Sequence, residues 1–249
     1  MFNEFHHQVR GRGHEQNGTR GQDRTAYLSR HGVQVLCLAD GAGSAEYSEF
    51  GAQAVVEEGC ALLAERFPDL IASTGAEEAR QLILERLLIR LAGVADKQGC
   101  SVPELASTFL AVAVSGDRFI AVHVGDGVIG YVKQDRLQVV STPDNEEFAN
   151  QTTFVTSPSA LASIRLYRGK LDDVAGFITM SDGTSESLYD FRSKTLAPAC
   201  VKLIEAVGKP RRAQSKSSKY KKRLRKLVDT RLRSATKDDC SIGILALRT

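Results

Sequence analysis

The chain has 249 residues, of which 42% are hydrophobic and 25% charged, and its formal net charge is +3; these values are typical of a globular protein that can bury a substantial core. No apolar run approaches the ~20 residues that cross a bilayer, and residues 1–10 lack the hydrophobic region of a signal peptide. Five cysteines without CxxC spacing predict reduced thiols, so the sequence favours a cytoplasmic protein over a membrane or disulfide-rich secreted one.

The first third of the chain predicts two strands followed by two helices. After an opening loop, the segments RTAYLSR and VQVLCLAD have the β-branched and apolar content of strands joined by a hairpin-like turn. Apolar residues then recur at helical spacing over 52–67, which predicts an amphipathic helix. Thr74 with Glu77 three residues later is a capping-box pattern and predicts where a second helix begins.

The rest of the chain predicts mainly strands. The strand-like runs are STFLAVAV, RFIAVHVG, VIGYVK, LQVVS, IRLYRGK, AGFITMSD and, at the end, residues 241–247. A polar stretch over 142–159 interrupts them, and helices are expected near 194–207 and 217–233. Helices inserted among meandering strands predict an α+β fold with antiparallel sheets covered by helices. Because there is no internal repeat or linker, we expect a single domain over 1–249.

Four aspartates lie at the ends of apolar runs: Asp40, Asp126, Asp182 and Asp239. Such runs are typical of buried strands, so each carboxylate is fixed by a sheet and reaches solvent. Gathered carboxylates repel one another, and hard divalent cations with oxygen ligands would hold them together. An isolated Asp-Gly is more often a turn, but the ordered set indicates a metal site. At the last position Asp238 is the alternative, and Asp239 is preferred because it lies nearer the strand.

The chain contains five short motifs in order: QDR (22–24), LADGAGS (38–44), HVGDG (123–127), MSDG (180–183) and DDCSIGIL (238–245). In this order they resemble the motifs of PP2C-type (PPM) metal-dependent protein serine/threonine phosphatases, and most closely those of the compact bacterial branch. The resemblance extends from about residue 13 to the C-terminus. It implies a four-layer αββα fold, in which two stacked antiparallel sheets carry paired helices on both outer faces, with the metal site at one end.

The resemblance also implies a centre of two Mg²⁺ or Mn²⁺ ions, with a third ion in some relatives. Asp40 matches the aspartate that bridges the two metals, and Gly41 matches the glycine that supplies a backbone carbonyl. Asp182 and Asp239 match ligands of one of the metals. Asp126, together with Asp182, matches the third and weaker site.

Further positions match the family or depart from it. Asp23 matches an acidic residue that orients water on the metals, and Gln22 replaces the Glu that many relatives have before it. Ala42 stands where many eukaryotic members have a histidine, a proposed general acid. The family's phosphate-binding arginine is replaced by Gly18. The candidates to bind the substrate phosphate instead are Arg20, Arg24 and His14, since cationic side chains grip phosphate.

Two segments are candidates to contact partners. Residues 142–159 occupy the place of the family's flap, a loop beside the active site, and are acidic over 144–147; a plain surface loop is the alternative. Residues 209–237 hold thirteen Lys and Arg and one acid, Asp229, whereas the remainder has a net charge of −9. An apolar stripe there predicts a docked helix whose basic residues form either a solvated face or a docking surface for an acidic partner. Nucleic acid is less favoured because no nucleic-acid motif accompanies the segment.

The resemblance thus implies a metal-dependent protein serine/threonine phosphatase, a phosphoric monoester hydrolase that opposes a partner kinase. Water activated at a two-metal centre would attack the phosphorus of phosphoserine or phosphothreonine directly. One alternative is a PP2C-fold interaction module with weak turnover, which the departures at Gly18 and Ala42 favour. Another is a metal-dependent hydrolase of small phosphate esters.

Overall fold

Two five-stranded antiparallel sheets stack against each other in the computed structural model, which describes residues 1–144, 152–209 and 219–248. The first sheet contains, in spatial order, β2 (Arg24–Arg30), β3 (Val33–Ala39), β4 (Phe109–Ser115), β5 (Arg118–Val124) and β8 (Arg165–Lys170). The second contains β1 (Phe2–Val9), β12 (Cys240–Leu247), β9 (Val174–Met180), β6 (Val128–Lys133) and β7 (Arg136–Ser141). The predicted arrangement of two antiparallel sheets is therefore confirmed.

Helices cover both outer faces of the sandwich. The long ones are α2 (Ser48–Ala72) and α3 (Ala76–Gln98) over the first sheet, and α6 (Ala199–Gly208) and α7 (Lys219–Leu227) over the second. The shorter elements are α1 (Arg12–Gln16), a 3₁₀ turn (Val102–Leu105), α4 (Ala160–Ser163), α5 (Asp182–Leu188), the ribbon of β10 (Tyr189–Asp190) and β11 (Thr195–Leu196), a π-helical turn (Val228–Leu232) and α8 (Arg233–Ala235). None of the helices in these described ranges has the length and hydrophobicity needed to cross a membrane.

The central strands β3, β4, β5, β9 and β12 are buried on both faces because apolar layers lie on either side of them. In β3, Leu36 and Leu38 face the other sheet, while Val35 and Cys37 face helix α2. This explains why the strand is a continuous apolar run rather than an alternating one. The apolar stripe of the basic segment is partly confirmed, since Leu224, Val228 and Leu232 are buried in the second helical layer whereas Leu227 is 37% exposed.

Two local predictions were wrong. The opening loop is largely strand β1, which pairs along its whole length with β12 and so adds a strand to the edge of the second sheet. Helix α3 has Gly75 as its N-cap and no side-chain cap, so Thr74 and Glu77 form no capping box there. Helix α2 extends to Ala72, only four residues before α3 begins, which leaves Thr74 inside the short connection rather than at the cap position.

The antiparallel pairing brings several chain reversals to one end of the sandwich. Met180 at the end of β9 is paired with Val128 at the start of β6 and with Ile242 near the start of β12. In the other sheet, Leu38 near the end of β3 is paired with Leu110 of β4. The residues that follow β3, β5 and β9 and precede β12 therefore meet at this end.

Candidate active site

A cavity of about 200 Å³ opens at this end of the sandwich, and four carboxylates lie on its wall: Asp40, Asp126, Asp182 and Asp238. They follow β3, β5 and β9 and precede β12, so each comes from a different strand end. Gly41 also lines the cavity. Four of the residues predicted as metal ligands, Asp40, Gly41, Asp126 and Asp182, are thus brought together in one place.

The backbone at Asp40 is held rigidly by the chain that leads into β4. The amide of Asp40 donates to Thr108 Oγ1 at 2.9 Å, and the amide of Thr108 donates to the carbonyl of Asp40 at 2.8 Å. Gly41 forms an isolated antiparallel bridge with Ser107. A Cβ atom on Gly41 would lie 3.0 Å from the side chain of Gln22, so the glycine is needed for close packing.

Asp182 is fixed at the first turn of α5, rather than in a simple turn after β9. The following Gly183 packs directly on the start of β12, where a Cβ atom would lie 2.2 Å from the carbonyl oxygen of Asp239. Any larger residue would push α5 away from β12. The glycine of the SDG motif therefore sets the distance between Asp182 and the aspartates that precede β12.

The carboxyl groups of Asp40 and Asp182 lie close enough to change each other's pKa. Burial raises the pKa of Asp40 well above its usual range, and the charges of Asp23 and Asp182 add to this effect. Burial also raises the pKa of Asp182 to about 6, with a further contribution from Asp126 and Asp238. The described part of the cavity is therefore short of positive charge, and a bound cation would stabilise the ionised carboxylates.

Asp23 lies behind these residues and is 2% exposed. Burial raises its pKa to about 8, assisted by the charges of Asp239 and Asp182, while the nearby hydroxyls of Ser241 and Ser181 favour the charged form. Both oxygens of Asp23 lack a hydrogen-bond partner of normal geometry in the described part of the chain. A buried carboxyl group in this condition marks a place where positive charge or donors are expected.

The two consecutive aspartates before β12 have different environments. Asp239 is 2% exposed. Its Oδ1 accepts a hydrogen bond from the amide of Gly11 at 2.6 Å and lies 2.8 Å from His14 Nδ1. Its Oδ2 accepts a hydrogen bond from the amide of Gln22 at 2.5 Å. Asp238 lies on the cavity wall with a side chain that is 47% exposed. Asp239 thus ties the N-terminal segment to the last strand, and Asp238 faces the cavity.

The three candidates for binding phosphate lie in different places. His14 of α1 lines the cavity. Arg20 has a side chain that is 78% exposed and pairs with Glu49 at 3.3 Å, in a neighbouring hollow of the surface. The guanidinium of Arg24 donates to the carbonyls of Gly21 and Asp23. Of these three residues, His14 is the one that the structure brings to the carboxylates.

The loop that contains Asp126 is held by an ion pair between Arg165 and Asp144. No motif in the sequence predicted this pair. Arg165 Nη2 lies 2.8 Å from Asp144 Oδ1 and donates to the carbonyl of Gly125 at 3.2 Å. The amide of Gly125, a residue with φ of +112°, donates to Asp144 Oδ2 at 3.2 Å. Thr152 Oγ1 donates to Asp126 itself at 2.5 Å. The acidic character predicted for 145–147 falls outside the described residues.

The donor set suits a hard divalent cation, although no three acidic, histidine or cysteine side chains among the described residues already surround one point. Carboxylate and carbonyl oxygens are the ligands of Mg²⁺ and Mn²⁺. The raised pKa of Asp40 and the unpartnered oxygens of Asp23 both indicate the place of missing positive charge. The residues present therefore fit a metal centre.

Comparisons with known proteins show the family of this chain and the similarity of its fold to solved structures. Residues 10–229 match the family model of protein phosphatase 2C. Serine/threonine-protein phosphatase 3 of Escherichia coli (strain K12) is 29% identical over 149 residues, and the match spans 56% of this chain and 56% of that protein, about half of its length. The fold is similar to a bacterial serine phosphatase (TM-score 0.65, 16% identity, 100% of this chain and 98% of the other). It is also similar to the catalytic domain of the serine threonine protein phosphatase PstP in complex with two manganese ions (TM-score 0.64, 18% identity, 100% and 99%).

Proposed function

Because the chain belongs to the protein phosphatase 2C family, we propose that it is a metal-dependent phosphatase of phosphoserine and phosphothreonine in proteins. The observation that carries this proposal is the acidic cavity lined by Asp40, Asp126, Asp182 and Asp238. Hydrolysis of a phosphate ester depends mainly on positioning and on stabilising charge. A cavity that collects carboxylates without cationic side chains is suited to that task through bound metal ions.

We propose that Asp40, the carbonyl of Gly41, Asp182 and Asp238 hold two Mg²⁺ or Mn²⁺ ions, with a third, weaker site at Asp126. Asp238 replaces Asp239 in this assignment because the oxygens of Asp239 already accept hydrogen bonds from buried backbone amides, whereas Asp238 lies on the cavity wall. When bound, the ions supply an acidified water as nucleophile and neutralise the phosphoryl oxygens. Asp23, buried behind the site, accepts a proton or orients water through its unpartnered oxygens.

We also propose that His14 contacts the substrate phosphoryl group and protonates the leaving oxygen from Nε2. An ionised Asp239 can only accept a hydrogen bond, so its 2.8 Å contact places a hydrogen on Nδ1 of His14. Nε2 can give a proton to the leaving oxygen only from the imidazolium form, and the ring is then left neutral with its hydrogen on Nδ1. Nε2 then lies 3.9 Å from Asp238 Oδ1, at the cavity wall. The side chain of Ala42, which also lines the cavity, offers no alternative acid.

A phosphatase of this kind requires a kinase that supplies its substrates, so a serine/threonine kinase is the proposed opposing partner. We further propose that residues 1–249 act as one domain. The support is that both sheets contribute to the site, with Asp40 and Asp126 following strands of the first sheet and Asp182 and Asp238 adjoining strands of the second.

The experiment is hydrolysis of a phosphothreonine peptide with Mn²⁺, Mg²⁺ or a chelator, comparing the wild type with Asp182→Ala. The matched control is Asp172→Ala, which removes an exposed carboxylate from the turn between β8 and β9. Metal-dependent turnover that disappears in Asp182→Ala and persists in Asp172→Ala would support the proposal. If the wild type binds Mn²⁺ but hydrolyses neither this peptide nor a panel of phosphoproteins, the interaction-module interpretation replaces it.

A further inference from the structure

Six exposed basic side chains cover the outer surface of α7 and the π-helical turn, and we refer to them as the basic ridge: Lys219, Lys222, Arg223, Arg225, Lys226 and Arg231. In the described ranges, no carboxylate lies within ion-pair distance of any of them. The one acidic residue of these helices, Asp229, lies 2.7 Å from His7 Nε2 and is occupied by that contact. The ridge is therefore an uncompensated positive surface on a chain whose remainder, outside 209–237, has a net charge of −9.

The ridge is not required to attach the helix to the fold. Attachment comes from buried Leu224, Val228 and Leu232 and from two other basic residues, Lys221, which pairs with Glu4, and Arg233, which pairs with Glu15. By contrast, the ridge residues face one another at helical spacings of three and four, for example Lys222 with Arg225 and Lys226. Like charges at these spacings destabilise a helix, so the ridge opposes folding and is explained better by a ligand.

The ridge leads to the candidate active site. The helical run from Lys219 to Ala235 is continuous, and three residues later Asp238 lies on the cavity wall. At 1.5 Å per residue the run is about 25 Å long. An extended peptide at about 3.3 Å per residue would cover the distance from the cavity to the far end of the ridge with about eight or nine residues.

We propose that the basic ridge docks an acidic segment of the phosphoprotein substrate while the phosphorylated residue occupies the cavity. This rests on the proposed phosphatase function and names its substrate class: phosphoproteins with Asp, Glu or further phosphorylated residues about three to nine positions from the site of hydrolysis. Because the helix runs in one direction away from the cavity, the acidic segment lies on one side of the phosphorylated residue only.

The test compares four substrates at low and high salt: p-nitrophenyl phosphate, a phosphothreonine peptide with neutral flanks, and two acidic peptides. The acidic peptides carry four glutamates three to nine residues before the phosphothreonine in one and after it in the other. The ridge variant is Lys222→Glu with Lys226→Glu. The control variant is Lys97→Glu with Lys170→Glu, which makes the same change of charge at exposed positions on α3 and β8.

We expect one of the two acidic peptides to have a KM at least tenfold below that of the neutral peptide at low salt, with the advantage lost in the ridge variant and in high salt. The control variant should keep the advantage, and turnover of p-nitrophenyl phosphate should be the same in all three proteins. Equal KM values for acidic and neutral peptides, or an equal loss in the control variant, would overturn the proposal. Binding of single-stranded RNA or of anionic vesicles to the ridge without a peptide preference would overturn it as well. If the wild type turns over none of the substrates, the phosphatase proposal fails. Binding of the labelled acidic peptide, measured by fluorescence anisotropy in the wild type and in the ridge variant, then tests the docking proposal separately.

Discussion

Asp238 accepts a hydrogen bond from the backbone amide of Asp239 at 2.8 Å, and the two neighbouring carboxylates serve different purposes. Asp238 faces the cavity with the other acidic residues. Asp239 accepts hydrogen bonds from the backbone amides of Gly11 and Gln22 and so joins both ends of the chain. If Asp238 holds a metal ion as proposed, the two residues separate metal binding from folding.

Substitution of the two aspartates should therefore have opposite effects. Asp238→Ala should leave the melting temperature in chelator nearly unchanged and abolish Mn²⁺-dependent turnover. Asp239→Ala leaves buried backbone amides without an acceptor, which should lower the free energy of unfolding by about 3 kcal/mol. Thermal unfolding in chelator and turnover against Mn²⁺ concentration measure the two effects. Loss of stability in Asp238→Ala, together with loss of Mn²⁺-dependent turnover in a stable Asp239→Ala, would reverse the assignment.

The stability of the metal-free protein should fall as the pH rises. Burial raises the pKa of Asp23 to about 8 and that of Asp182 to about 6, above the usual 3.8. Between 3.8 and these values the native state holds protons that the unfolded chain has lost, so stability falls with pH by about 1.4 kcal/mol per unit for each such group. Saturating Mn²⁺ should remove this dependence by supplying the positive charge.

Thermal unfolding at pH 5.5 and pH 8, in chelator and in Mn²⁺, measures that difference. Asp23→Asn serves as the control, because it removes one group whose pKa is raised to about 8 and should make the chelator curve less steep. A metal-free protein that is more stable at pH 8 than at pH 5.5 would contradict the expected protonation of this cavity.

The role of His14 predicts a dependence on the leaving group. His14→Gln should lower kcat for a phosphothreonine peptide by about 100-fold, since general acid catalysis contributes at least that much to the expulsion of an alkoxide. Turnover of p-nitrophenyl phosphate should fall much less, because p-nitrophenolate leaves without a proton and only the phosphate contact of His14 is lost. Steady-state kinetics on both substrates with one enzyme preparation provide the check. An equal loss on both would rule out proton transfer from His14 to the leaving oxygen.

The ion pair of Arg165 with Asp144 should control metal binding at Asp126, since it fixes the neighbouring Gly125 from both sides. Arg165→Met should raise the Mn²⁺ concentration for half-maximal activity by about tenfold, the usual effect of losing a residue that orients a metal ligand. Arg168→Met is the control on the same strand, because Arg168 donates to the carbonyl of Ser73 at 2.6 Å, away from the cavity. Equal metal requirements in the two variants would remove Arg165 from the site.

The sequence predicted those parts of the fold whose signal is local. Apolar runs that end in Asp-Gly located Asp40 and Asp182, because strand burial and the need for a small residue are both visible in a few neighbouring letters. Strand β1 was missed because its polar residues hide the alternation and its partner, β12, lies more than 230 residues away. The sequence alone could not decide between Asp238 and Asp239. A shift of one residue along a strand changes which of the two side chains faces the cavity. Arg165 gave no signal at all, because its role comes from the position of β8 beside β5.

The pairing of Phe2 with Leu247 makes the first and last strands neighbours. Such a topology has a high contact order, so closing the second sheet requires ordering nearly the entire polypeptide and is slow. Asp238 directly precedes β12 and lies on the cavity wall, so a chain without this strand also lacks one wall of the acidic cavity. The cavity therefore depends on the same long-range pairing that closes the second sheet.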